Sequence, residues 1–91
     1  MTPVADWIKI DGNRLTSSLQ EAAAKLETSQ GELVLDFSEV ARLDAPAVNL
    51  LERMAGIASE KKVRIILRGL NVTAYKVLKL ARLSARFTFV N

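Results

Sequence analysis

Two apolar runs bracket a helical pattern in this chain: Leu33-Val34-Leu35 passing through Asp36 to Phe37, and Val63-Arg64-Ile65-Ile66-Leu67. Runs that present apolar side chains to both faces suit central parallel strands rather than half-wet antiparallel ones. Parallel neighbours cannot be joined by a tight hairpin. The segment between them, Ala45 to Glu60, must therefore cross back over the sheet, and such crossovers are right-handed. This strand–helix–strand unit constrains everything else the chain can become.

The flanking segments fit the same plan. Trp7-Ile8-Lys9-Ile10 is a short β-type run closed by the turn residues Asp11-Gly12-Asn13. Ser18 with Glu21, or Ser17 with Gln20, has capping-box spacing, which predicts a helix starting there. Leu19, Ala22, Ala23 and Leu26 then share one helical face, with Gln20, Glu21, Lys25 and Glu27 outward. Downstream, Asn71 is an N-cap candidate for a last helix whose buried stripe is Ala74, Val77, Leu78 and Ala81. Phe87–Val90 supplies a final edge strand. The predicted fold is a single α/β domain over residues 1–91. It has a mainly parallel sheet of roughly four strands with about three helices mainly on one face.

Composition excludes several functions. With no cysteine the chain has neither disulfides nor thiolate metal sites. With no histidine it lacks the commonest general base and the commonest zinc ligand. The four glycines (Gly12, Gly31, Gly56, Gly69) never reach the spacing of a phosphate-binding loop. Asp36 and Asp44 have no third ligand or nucleophile near them in sequence, so no metal site, cofactor or catalytic residue is assigned. No apolar run approaches the ~20 residues of a membrane span. Met1–Asp6 has neither a basic nor an apolar signal region, so a cytoplasmic protein is expected.

The loop Phe37–Asp44 and the helix after it hold the candidate site. Asp44 stands at the N-cap position, and Pro46 falls in the first turn, where its missing N–H is harmless. Asp-Ala-Pro is also a complete helix start that requires no function. The helix is broader in its apolar arc than packing on a sheet requires. Ala47, Val48, Leu50, Leu51, Met54, Ala55, Ile57 and Ala58 cover over half its circumference, leaving only Asn49, Glu52, Arg53, Gly56 and Ser59 as a polar stripe. The excess either packs on the final helix or forms a partner-docking edge around Val48.

These segments together resemble the STAS domain family. Asp36-x-Ser38-x-Val40, then Leu43-Asp44 and the helix Val48–Ala58, look like the family's central unit. Arg68-Gly69-Leu70-Asn71, the helix with Tyr75, Leu78, Leu80 and Leu83, and the terminal strand look like its C-terminal half. The front of the chain is shorter than in members with two N-terminal strands. The resemblance implies a non-catalytic module that binds a protein partner through Asp36, Ser38, Glu39, Arg42, Asp44, Ala45, Pro46, Ala47, Val48 and Asn49. In the anti-sigma factor antagonist branch the partner is a kinase-type anti-sigma factor, released when the second of two hydroxyl residues after the second acid, the position Pro46 takes here, is phosphorylated. Here Ala45 and Pro46 occupy the hydroxyl positions, so no phosphorylation site is expected there and binding would be constitutive. In a second branch the domain is the STAS subunit of an ABC-type phospholipid transporter and clamps the ATPase. The resemblance there rests on Leu67–Asn71, Tyr75, Lys79-Leu80 and Leu83. Phosphorylation of Ser38 and the oligomeric state stay open.

The net charge of +3 conceals a gradient: residues 1–60 carry −5, and residues 61–91 carry +8 with no acid at all. Arg68, Lys76, Lys79 and Arg82 form a possible basic contact for an acidic partner, or are simply solvated. Nucleic-acid binding is a third reading, but interleaved aromatics and a helix-turn-helix pattern are missing, so no nucleic acid is expected. Trp7 and Tyr75 read as core or core-edge aromatics.

Overall fold

The structure, a computed structural model, describes residues 6–90. Residues 1–5, on which most of the signal-sequence expectation rests, lie outside the described residues. Strands β1 (Asp6–Lys9), β2 (Glu32–Asp36), β3 (Arg64–Arg68) and β4 (Thr88–Val90) alternate with helices α1 (Leu15–Thr28), α2 (Ala45–Lys61) and α3 (Val72–Leu80). All neighbouring strands are parallel, and their order in the sheet is their order in sequence. Among the described residues the sheet ends at β1 and β4.

Strand register divides the side chains into two faces. Ile8, Leu35, Leu67 and Phe89 lie in one row, and Leu33 and Ile65 in another, all under the helices. Leu19, Ala22 and Leu26 of α1, Leu51, Met54 and Ala58 of α2, and Ala74 and Leu78 of α3 close over them into one core cluster. The opposite face carries Trp7, Val34, Ile66 and Thr88 in one row, with Lys9, Asp36, Arg68 and Val90 in the next. Trp7 is 52% exposed there, with the Arg68 guanidinium 5.0 Å above its ring, so it belongs to an open sheet face and not to the core edge.

Three expectations need correcting. The Ser17 and Ser18 capping boxes do not form. Helix α1 begins earlier, at Leu15, out of a short 3-10 turn (Gly12–Arg14), and the Ser18 hydroxyl accepts a hydrogen bond from the Asp11 N–H at 3.1 Å. An N-cap hydroxyl is replaced there by continuity with the preceding turn. The broad apolar arc of α2 packs along α1, not along the final helix, because adjacent parallel crossovers place α1 and α2 side by side. Lys61 reinforces that pairing by donating to the carbonyls of Leu26 and Glu27 at the end of α1. Ala81 is exposed, since α3 ends at Leu80 and Leu83 closes the core in its place.

Candidate functional site

The segment joining β2 to α2 is irregular in secondary structure yet held at almost every residue. Its first device is the sharp turn after β2. The Asp36 carboxylate accepts from the Ser38 N–H at 2.9 Å, and the Val40 N–H donates to the Phe37 carbonyl at 3.0 Å. The Ser38 backbone and hydroxyl donors hold the Asp36 carboxyl below the usual carboxylate range, with Lys9 and Arg68 adding to the effect. Phe37, Val40 and Leu43 point inward and are buried, so the loop is anchored by apolar side chains at three places.

Two other parts of the chain close on the loop from either side. Gly12 lies so near the Glu39 carbonyl that a side chain there would collide with it. Gly69 adopts φ +72, and a Cβ on it would stand 3.2 Å from the Ser38 Cβ. Asn71 does two things at once. Its Oδ1 accepts from the Ala74 N–H at 2.7 Å, capping α3, while its Nδ2 donates to the carbonyls of Ala41 at 2.8 Å and Val40 at 3.2 Å. An exposed ion pair, Lys9 to Glu39 at 2.7 Å, ties the tip to β1 and raises the Lys9 pKa. Being solvent-exposed, that pair contributes little to stability.

Helix α2 then starts as its sequence predicts. The Asp44 carboxylate accepts from the Ala47 N–H at 2.9 Å, and Pro46 sits in the first turn. Ser38, Glu39, Arg42, Asp44, Ala45, Pro46 and Asn49 are exposed, and Val48 and Asp36 are half-buried. Asn49 lines a shallow groove with Glu52 and Arg53. A cleft of about 810 Å³ opens between Gly12–Ser17 and Arg42–Asp44. Ala47 has to be withdrawn from the partner-binding set: it is 0% exposed and faces the core between exposed Pro46 and half-buried Val48. The three residues after Asp44 present no hydroxyl.

The basic group expected in the C-terminal third is divided by the fold. Lys76, Lys79 and Arg82 are exposed on and just after α3, but Arg68 lies over Trp7 on the other side of the sheet. Its neighbour Leu67 is the residue that points beneath the helices. Sequence reasoning missed Gly12, Gly69 and the Nδ2 half of Asn71 as supports of the loop. A Gly-Leu-Asn helix start is visible in the sequence, but nothing local reveals contacts thirty residues away in the chain.

Comparison with known proteins agrees with this architecture. The family model described as "Mlab, STAS domain" matches residues 7–89, so the chain belongs to the STAS domain family. Among solved structures it is similar to a candidate anti-sigma factor antagonist from Thermotoga maritima. That match has a TM-score of 0.65 at 16% identity and covers 100% of this chain and 76% of the other. At such identity the likeness concerns the fold. No curated protein matches the sequence.

Proposed function

We propose that this STAS domain is a non-catalytic, cytoplasmic binding module that grips a protein partner constitutively through the β2–α2 loop and the exposed start of α2. The observation that carries the reading is the contrast between a rigidly supported, outward-facing surface (Ser38, Glu39, Arg42, Asp44, Ala45, Pro46, Asn49) and the missing hydroxyl after Asp44. In a family where a phosphate at this place repels the partner, a chain with Ala45-Pro46-Ala47 has no such release. The preferred partner is a kinase-type anti-sigma factor, making the protein an antagonist held in its binding state. A second reading, a STAS subunit that stabilises an ABC-type phospholipid transporter ATPase, is favoured by the family model that matches and by Leu67–Asn71.

The substitution Ala45→Glu tests the surface directly. It places a carboxylate at the first turn of α2, where the helix dipole favours it, so the domain should stay folded with unchanged or slightly higher stability. The charge stands one residue before Pro46, which takes the place of the family's phosphorylated residue, so it brings a negative charge to the same helical turn. Affinity capture with the wild-type chain as bait should retain a GHKL-type kinase or an ABC ATPase, and A45E should lose that protein. Capture of the same partner at equal yield by A45E would remove the loop from the interface. Prior incubation with kinase and ATP should leave wild-type capture unchanged; a stoichiometric phosphate on Ser38 that abolishes it would restore a switch.

A further inference from the structure

Helix α3 and the edge strand β4 carry a second surface that the loop does not use. Val72, Lys76 and Leu80 follow one another at four-residue spacing on the outward face of α3, with Tyr75 and Lys79 beside them. Val72 is 70% and Leu80 85% exposed, so both side chains are open to a partner. At the N-terminal end of this face lies a groove of about 260 Å³ lined by Leu70, Asn71, Val72, Tyr75, Phe89 and Val90. Tyr75 and Phe89 meet edge to face at 5.1 Å and form its apolar floor.

The charge around this face has one sign. No acid occurs between residues 61 and 91. The three ion pairs among the described residues involve Lys9, Lys25 and Arg64, so Lys76, Lys79, Arg82 and Arg86 have no carboxylate partner there. β4 is an edge strand, and one side of its backbone is unpaired among the described residues. We infer that α3 and β4 dock an acidic protein segment that places one large apolar side chain in the Tyr75–Phe89 groove, with its carboxylates on Lys76 and Lys79.

Two features select this occupant over others. The groove, about 260 Å³, lies near the lower bound of small-molecule sites and has room for one large anchoring side chain. Lysines and aliphatics are interleaved on the same face, whereas a helix lying in a membrane surface segregates an apolar face from a basic one. Interleaving matches a protein segment that alternates acidic and apolar side chains.

The test uses the full chain and a synthetic peptide of glutamates around one central phenylalanine, followed by amide chemical shifts and fluorescence anisotropy at low ionic strength. Shifts should concentrate on Val72–Leu80 and Val90. Affinity should fall about ten-fold in the double variant Lys76→Glu/Lys79→Glu, and again when the phenylalanine of the peptide is replaced by serine. Val72→Ser, at an exposed position, should weaken binding without altering the fold. Ala45→Glu should leave peptide binding unchanged, which separates this surface from the loop. Shifts confined to Ser38–Asn49, indifference to the lysine variant, or retention on phosphatidylglycerol vesicles in place of the peptide would overturn the inference.

Discussion

At the scale of single residues, Gly12 and Asp36 decide whether the β2–α2 loop keeps its shape. Gly12 is required by proximity: any Cβ would meet the Glu39 carbonyl, a backbone group that cannot swing aside. Gly12→Ala should therefore cost about 1–3 kcal/mol, the range of overpacking strain, and shift the amides of Glu39 and Val40. An unchanged denaturation midpoint would contradict that contact. Asp36 acts through charge and geometry together. Its carboxyl titrates below the ordinary carboxylate range because the Ser38 donors favour the ionised form. A group depressed in the folded state stabilises above its unfolded value, near pH ~4, and loses that contribution as pH falls through the folded value. Asp36→Asn keeps an acceptor for the Ser38 N–H but removes the titration. Its stability should be lower than wild type at neutral pH and should converge on it in acid. Parallel stability curves below about pH 4 would show that the turn does not depend on the carboxylate.

At the scale of elements, helix starts were more legible than helix ends or neighbours. Asp44 and Asn71 cap α2 and α3 as their side chains predict, because an N-cap hydrogen bond spans three residues and is written in adjacent letters. Helix α1 defied the same logic. Its two serines had the right spacing, but a 3-10 turn fed the helix from Gly12 and left Ser18 to hold Asp11. The broad apolar arc of α2 correctly signalled a helical neighbour, yet periodicity carries no information on which helix that is. The end of α2 offers a test. Lys62 adopts φ 58, a left-handed conformation usually given to glycine. Lys62→Gly should relieve that conformation and raise stability by about 0.5–1 kcal/mol, net of the greater freedom glycine has when unfolded. A lowered melting temperature would mean that the lysine contributes more at the helix terminus than its backbone costs.

At the scale of the whole molecule, one core cluster joins every strand and helix, so the domain should unfold as a unit. Trp7, the single tryptophan, reports on the open sheet face, while circular dichroism reports on the three helices beneath the other face. The two denaturation curves should share one midpoint; separated midpoints would show that β1 detaches before the rest. The charge gradient was plain in the sequence, but its division between faces was not. Arg68 and Lys76 are only eight residues apart, and strand alternation sends Arg68 to the side opposite α3. A linear sequence shows how much charge a segment carries; only topology decides what that charge can reach.

Strand order has one further consequence. Because each strand is laid beside its predecessor and none is inserted between two earlier ones, the domain can be assembled in the direction of synthesis. Each crossover after β1–α1–β2 adds its strand at one edge of the sheet, so no strand has to enter between two already paired. Growth of this kind requires no long-range closure of the chain ends. β4, three residues long, makes the shortest pairing in the sheet and so holds the least backbone contact of the four strands.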